Sequence, residues 1–209
     1  MVYQLLQDGQ AAPSIIEHIT DVGRDSNARS RQYGVITFGD GSLRIAAFTG
    51  SSIPTWAGDM QDIGFGVTVQ GNTLADEEVV SAAMEAFIGR GDEDRTLMSD
   101  RLMRALAAGS AAGGDRRCNT GQVIQSAASA AIFVSRGGDE PYAARNIDMT
   151  DSGTPDAPWL AISVVETQFG PNPVLELNER YDMWRRTVTA VDPNGKLAAT
   201  WGAIRNSAR

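Results

Sequence analysis

Residues 67–75 carry side-chain amides at the point where a strand gives way to a helix. The stretch "VTVQGNTLA" ends in Gln70 and Asn72, and Thr73 leads into the helix. Amides donate and accept hydrogen bonds, and the first turn of a helix has backbone N–H groups that can bind an anion or a carbonyl oxygen. The sequence therefore predicts either a site for a carbonyl or carboxylate group, or simple capping of the helix by Asn72 or Thr73.

A second stretch, "GGDRR", also carries residues suited to binding. Its glycines allow close approach of the backbone, and Arg116 and Arg117 offer paired contacts to an anion. The alternative is an internal salt bridge from Asp115 that pins the loop. We expect Asp115 to brace the arginines and Arg116 to make the main contact with an anion. The candidate substrate-binding residues are Gln70, Asn72, Asp115, Arg116, Arg117, Gln125 and Ser126.

The chain offers little for catalysis by familiar residue sets. A zinc site or a Ser-His-Asp triad would depend on the single histidine, His18, which has no second ligand at metal spacing and lies in a helix rich in isoleucine. We therefore expect His18 to be a surface or half-buried histidine. The acids of "GGDEP" and "NIDMTDSGTPD" fit a turn-rich surface, with a weak Ca²⁺ or Mg²⁺ site as the alternative. We predict no metal and no cofactor.

Composition narrows the class of partner. The chain has 209 residues, of which 21% are charged and 42% hydrophobic, as in an ordinary globular domain. A net charge of −8 and a pI near 4.6 argue against nucleic acid or an anionic membrane surface as a partner. The sequence has no apolar run long enough to span a membrane. Because "MVYQLLQDGQ" is not a signal peptide and Cys118 is the single cysteine, we expect a cytoplasmic protein, unless a missing leader carried a signal peptide.

The periodicity of apolar residues in the first half predicts helices and then strands. Two short helices are expected over 2–9 and 12–21, the second with Pro13 in its first turn. A hairpin is expected around Gly39-Asp40-Gly41, and a third strand in 64–72.

The second half is predicted to begin with a pair of helices. The second helix of the pair is expected to stop at Gly109. A long strand over 122–136, a further strand over 159–167, a final helix capped by Asn172 and a hairpin around Pro193-Asn194-Gly195 are expected to follow. Helices grouped between antiparallel strands are typical of the α+β class.

These motifs resemble a known family. The segments "RQYGVITFGDGSLRIAAFTG", "WAGD", "VQGNTLA", "LMRALAAGSAAGGDRR" and "QSAA" stand in the order found in DUF1028, an uncharacterised family assigned to the Ntn-hydrolase-like superfamily. The resemblance extends from about residue 4 to residue 186. It implies an α-β-β-α sandwich of mainly antiparallel sheets, and an activity towards amide bonds.

The resemblance also predicts a segmentation of one domain spanning 1–209. The expected parts are a helical entry at 1–30, strands at 31–72, a helical pair at 73–109, strands and a final helix at 122–190, and a C-terminal extension at 191–209. Members of the family begin with a leading segment that supplies the first strands and any N-terminal nucleophile. We expect about 50 to 60 such residues to be missing here. Met1 and Val2 carry no nucleophile, so Ntn chemistry is not expected from the chain as written.

Two functions are compatible with these features. The first is a scaffold of an Ntn-type amide hydrolase, whose amides orient a carbonyl and whose arginines bind the carboxylate of a small substrate. The alternative is a non-catalytic binding or assembly protein that covers exposed sheet edges by forming a homo-oligomer, with a dimer favoured. The partner is then a small anion or amide in the first case and a second copy of the chain in the other.

Overall fold

The computed structural model describes residues 1–53, 55–89, 97–118, 125–135, 160–164 and 171–190, with 187–190 described through their backbone alone. Mixed helices and antiparallel strands place the protein in the α+β class, as predicted. The described elements are α1 (Val2–Gln7), α2 (Ala12–Thr20), a 3-10 turn (Ala28–Ser30), β1 (Gln32–Gly39), β2 (Ser42–Thr49), β3 (Trp56–Asp62), β4 (Val67–Leu74), α3 (Glu78–Ile88), α4 (Met98–Ala111), β5 (Ala130–Val134), β6 (Leu160–Val164) and α5 (Pro173–Ala190).

The described strands form three antiparallel pairs, β1 with β2, β3 with β4, and β5 with β6. The first pair is the predicted hairpin. Its turn holds Asp40 at φ 50° and Gly41 at φ 72°. Asp tolerates this left-handed conformation better than most residues and Gly adopts it freely, which is why Asp-Gly is a strong hairpin signal.

Helix α2 covers the outer face of the first hairpin. Its Ile15 and Ile19 are almost fully buried and join Val35 of β1 in one apolar cluster. Burial of each isoleucine contributes about 2 kcal/mol relative to exposure. The helix therefore lies against the hairpin through one apolar stripe.

The inner face of the first hairpin approaches the second hairpin closely. A Cβ atom on Gly34 would lie 2.6 Å from Thr68 Oγ1 and 2.7 Å from both polar atoms of the Gln70 amide. Alternate residues of β4, Val67 and Val69, instead join the core beneath α3 and α4. Because strand side chains alternate between faces, β4 presents a polar face to the first hairpin and an apolar face to the helices.

Helices α3 and α4 form the layer on the far side of β3 and β4. Phe87 and Met84 of α3 are buried in this core. The prediction that α4 stops at Gly109 is wrong, since the helix continues to Ala111. Gly109 is buried, and a Cβ there would lie 3.2 Å from the carbonyl oxygen of Val79, so this glycine allows α3 and α4 to pack closely.

Helix α5 packs on β5, β6 and α4. Leu160 and Leu177 are fully buried in the shared core. As predicted, Asn172 caps the helix, and its Oδ1 accepts a hydrogen bond of 3.1 Å from the backbone N–H of Val174. Among the described residues, no helix has both the length and the hydropathy needed to cross a membrane.

Polar side chains fasten α5 to α4. The Tyr181 hydroxyl lies 2.8 Å from Ser99 Oγ and 2.5 Å from Asp100 Oδ1. Arg185 Nε donates to the same oxygen of Asp100 at 3.0 Å. Burial and the hydrogen bond to Asp100 raise the pKa of Tyr181. Burial alone would raise the pKa of Asp100, but the hydrogen bonds from Arg185 and Tyr181 outweigh it and hold that pKa below its usual value.

Some expectations about the strands and the C-terminal part are corrected by the structure, and others concern residues outside the described ones. Strand β3 was not predicted, and the long strand expected over 122–136 is a strand only at 130–134 within the described part of that range. The hairpin expected around Pro193-Asn194-Gly195 was expected to start at 187, but 187–190 are helical. The loop acids proposed as a weak metal site, and the C-terminal extension at 191–209, lie outside the described residues.

Candidate functional site

The two stretches singled out from the sequence lie side by side. The backbone N–H of Ala75 donates to the carbonyl oxygen of Gly114 at 2.9 Å, and the N–H of Arg116 donates to that of Thr73 at 3.0 Å. Leu74 and Asp115 form an isolated antiparallel bridge between these bonds. The end of β4 and the loop after α4 therefore form one rim, which we call the rim loops (residues 71–75 and 113–118).

Glycines allow the rim loops to approach the following segment. Gly113 and Gly114 have φ angles of 117° and 53°, which are strained for residues with a side chain. A Cβ on Gly114 would lie 2.2 Å from the carbonyl oxygen of Ser126. That same oxygen accepts a hydrogen bond of 2.7 Å from the backbone N–H of Asp115.

The two arginines of the loop differ in their partners. Both oxygens of Asp115 accept hydrogen bonds from Arg117, with Nη2 and Oδ2 2.5 Å apart. This hydrogen bond is the main cause that holds the pKa of Asp115 below its usual value, and it raises the pKa of Arg117. The Arg116 side chain is exposed and forms no ion pair with any described residue. Asp115 thus braces Arg117, and Arg116 keeps its charge available.

Ser126 occupies a different environment from the exposed arginines. It is 6% exposed, and its Oγ lies 2.5 Å from Ser110 Oγ and donates to Asn172 Oδ1 at 3.0 Å. Asn172 Nδ2 also donates to Ser110 Oγ at 3.2 Å. This cluster joins Ser126 to Asn172, the residue that caps α5. The preceding residue, Gln125, is half-buried.

The amides of β4 lie on its polar face. Gln70 is exposed, and its amide borders the space left by Gly34. Asn72 is also exposed, and its Nδ2 donates to Gln32 Oε1 at 3.1 Å. The hydroxyl of Thr73, a residue held at φ 57°, donates to Asn72 Oδ1 at 3.2 Å.

Gln32 is a residue of this network that sequence reasoning missed. Its Nε2 lies 2.9 Å from the carbonyl oxygen of Gly71, 3.1 Å from that of Gly58 and 3.0 Å from Thr49 Oγ1. The Thr49 hydroxyl in turn donates to Asp59 Oδ2 at 2.6 Å. These contacts join the two hairpins through polar atoms. Two segments that carry the family resemblance contain these residues: "RQYGVITFGDGSLRIAAFTG" includes Gln32 and Thr49, and "WAGD" includes Asp59.

A cleft of about 310 Å³ lies elsewhere, between the α1–α2 turn and the end of the first hairpin. Its lining shares no residue with the rim loops, and sequence reasoning did not predict it. Its lining includes three large apolar residues, one acidic residue and one basic residue: Leu6, Ile36, Phe38, Asp40 and Arg44. His18, in the last turn of α2, is half-buried.

Comparison with known proteins gives a family. The model of DUF1028, a family of unknown function, matches residues 1–157, a shorter range than the resemblance to residue 186 suggested. No curated protein matches the chain. A crystal structure of a DUF1028 protein from Silicibacter pomeroyi is similar, with a TM-score of 0.60 and 25% sequence identity over 87% of this chain. The match spans 64% of the length of that protein. The chain belongs to DUF1028, a family of unknown function.

Proposed function

We propose that the rim loops bind a small molecule that carries both a carboxylate and an amide group. The observation that carries this proposal is the junction of the two loops, which brings the exposed Asn72 amide and the Arg116 loop to one rim. An amide can recognise a carbonyl or an amide, and a guanidinium binds a carboxylate through two N–H groups.

The distribution of charge at the rim favours Arg116 as the carboxylate contact. Asp115 neutralises Arg117 but leaves Arg116 without a carboxylate partner among the described residues. In a chain with net charge −8, an exposed and uncompensated cation is a local site for an anion. The backbone of Arg116 is fixed by its bond to Thr73, so the side chain starts from a defined position.

We further propose that this binding site belongs to the scaffold of an Ntn-type amide hydrolase. The layer order supports the proposal, since α2, the first hairpin, the second hairpin, and α3 with α4 follow one another in the order helix, sheet, sheet, helix. In this scheme Asn72 orients the substrate carbonyl and Arg116 holds the carboxylate. We assign no nucleophile among the described residues.

The experiment that tests the binding proposal is calorimetric titration with succinamate, which carries one carboxylate and one carboxamide. We expect Arg116→Ala to weaken binding about tenfold, because a charge-assisted hydrogen bond to a ligand is lost. The matched control is Arg24→Ala. Arg24 lies in the turn that follows α2; its side chain is 54% exposed, and its Nε is 3.7 Å from Asp21 Oδ2. Equal losses of affinity for succinamate in the two variants, or no binding of succinamate to the native protein, would contradict the proposal.

A second candidate function, assembly through a sheet edge, is favoured by exposed apolar residues on β1. Ile36 and Phe38 are 45% and 70% exposed. Within the described residues β1 pairs with β2 alone, and its sequence "QYGVITFG" contains no charge and no proline. Edge strands usually carry charged residues or proline, which prevent pairing with another chain. Because β1 has neither, its edge is suited to a second copy of the chain.

Sedimentation equilibrium tests the assembly function. If it is correct, the native chain sediments as a dimer and Phe38→Glu shifts it towards the monomer, because the charge opposes pairing at the edge. Met183→Glu is the control, because Met183 is likewise exposed, at 60%, but lies on α5. A monomeric native chain, or the same shift in both variants, would exclude this function.

A further inference from the structure

The orientation of the Asn72 amide is fixed by backbone carbonyls of the second hairpin, acting through Gln32. We infer that Asn72 therefore selects a carboxamide in preference to a carboxylate or an ester, and that Gln32 is the positioning residue for this choice. The inference rests on the proposed binding function and names the group that the amide side of the site recognises.

The argument starts at two glycines that face each other across the second hairpin. Gly58 pairs with Gly71, and both of their carbonyl oxygens lie within 3.1 Å of Gln32 Nε2. A carbonyl oxygen can only accept a hydrogen bond, so the atom facing it must be the NH₂ group of the amide. If the Gln32 amide were turned over, its oxygen would face two acceptors. The contacts therefore define which end of Gln32 is nitrogen.

The orientation passes from Gln32 to Asn72. With Gln32 Nε2 held at the glycines, Gln32 Oε1 faces Asn72 and requires a donor there. Asn72 Nδ2 supplies it at 3.1 Å. The hydroxyl of Thr73 donates to Asn72 Oδ1 at 3.2 Å in this orientation. The orientation itself is assigned by Gln32 Oε1, which can only accept, so turning the Asn72 amide over would lose that hydrogen bond.

The remaining hydrogen-bonding capacity of Asn72 is one donor and one acceptor. An amide nitrogen carries two N–H groups and an amide oxygen has two lone pairs, and one of each is used by Gln32 and Thr73. The side chain is exposed, so the second N–H and the second lone pair can meet a ligand. A carboxamide matches them with its own acceptor and donor. A carboxylate or an ester has acceptors alone and leaves Asn72 Oδ1 facing another oxygen.

Three ligands of matched size test the selection by calorimetry. These are succinamate, monomethyl succinate and succinate, which share one carboxylate for Arg116 and differ at the other end. We expect the native protein to bind succinamate about tenfold more tightly than monomethyl succinate, which has the same charge but no N–H donor. Succinate, with a second carboxylate, is expected to bind more weakly than succinamate as well.

Two variants examine the role of each side chain. Asn72→Asp replaces the amide by a carboxylate on an exposed side chain and is expected to abolish the preference for succinamate. Gln32→Glu cannot donate to the carbonyls of Gly58 and Gly71, and it is expected to reduce the preference in the same direction. The readout is the ratio of the two affinities. If the role of Gln32 were purely structural, Gln32→Glu would lower the affinity for both ligands equally and leave the ratio unchanged.

The outcomes separate this inference from the function on which it rests. If all three ligands bind with equal affinity and Arg116→Ala still weakens them, the binding site stands and the selection by Asn72 is wrong. If none of the three binds the native protein, the proposed function fails and this inference fails with it. Should Gln32→Glu not fold, Asn72→Asp alone decides, because a preference retained in that variant overturns the inference.

Discussion

Two aspartate–arginine pairs in this protein have the same chemistry but differ in how far the arginine is exposed to water. Asp115 and Arg117 are two positions apart in an exposed rim loop, and the Arg117 side chain is 69% exposed. Asp100 and Arg185 are 85 positions apart and connect two helices, with side chains 24% and 26% exposed. Tyr181 adds a further hydrogen bond to Asp100.

The difference shows how surroundings decide what an ion pair does. In the rim loop, Asp115 is 21% exposed but Arg117 is open to water, so water competes for the guanidinium and the pair mainly fixes the shape of a short loop. Between α4 and α5, removing one partner takes a charge-assisted hydrogen bond from the other, which is partly buried. The first pair therefore sets which arginine is available to a ligand, and the second holds one helix against another.

The largest expected effect comes from breaking the pair between helices. Asp100→Ala removes the hydrogen bonds from Arg185 to Asp100 and one of the two hydrogen-bond partners of the Tyr181 hydroxyl. We expect a loss of about 2 to 3 kcal/mol in the free energy of unfolding, at the lower end for buried pairs because both side chains are partly exposed. Urea denaturation measures it. A loss no larger than that of Asp115→Ala would remove the distinction between the two pairs.

Acid should remove part of the same stabilisation. The folded-state pKa of Asp100 lies below its usual value, so the folded protein binds this proton less readily than the unfolded chain. The contribution is therefore complete above the ordinary pKa of aspartate, about 4, and is lost as the pH falls through the folded-state pKa. Urea unfolding of the native protein and Asp100→Asn across this range should show curves that converge at low pH. Parallel curves would show that Asp100 contributes no such dependence.

A smaller effect is expected from the tyrosine that completes the helix interface. Tyr181→Phe keeps the ring in the apolar core but removes the hydrogen bonds to Ser99 and Asp100. We expect a loss of about 1 kcal/mol in the free energy of unfolding. Tyr33→Phe, at a tyrosine that packs beside α2, is the control. If Tyr33→Phe lowers the free energy of unfolding by as much as Tyr181→Phe, the hydroxyl contacts of Tyr181 do not stabilise the interface.

The smallest effect on stability is expected at the rim loop. Asp115→Ala removes the partner of an exposed arginine, and water replaces most of what is lost. The melting temperature should change less than in Tyr181→Phe, as measured by thermal unfolding followed by circular dichroism. A larger change than in Tyr181→Phe would mean that the rim loops contribute to the core and not just to the rim.

The parts of the fold that local chemistry specifies were predictable. The Asp40-Gly41 turn and the Asn172 cap follow from backbone preferences of single residues, and both were confirmed. Strand β3 was missed because "WAGDMQD" contains a glycine and two aspartates and no β-branched residue, so it lacks the pattern typical of a half-buried strand. Gly109 was misassigned because a glycine that ends a helix and one that allows close packing look alike in sequence.

The candidate site shows a similar division. The end of β4 and the "GGDRR" loop were both singled out, since amides beside a helix start and glycines beside arginines are local patterns. Gln32 was not, because its role depends on the packing of one hairpin against another, which brings it to residues 26 and 39 positions away. No spacing within the sequence encodes that approach.

The cap of α5 has a consequence for how the chain folds. Asn172 bonds to Ser126 and Ser110, which lie 46 and 62 positions earlier. The start of this helix is thus specified by distant segments, and closing such long loops costs chain entropy before the hydrogen bonds form. Helix α5 should therefore become ordered late in folding, after α4 has formed. Its amide protons should exchange with solvent earlier than those of α4 when the native protein opens.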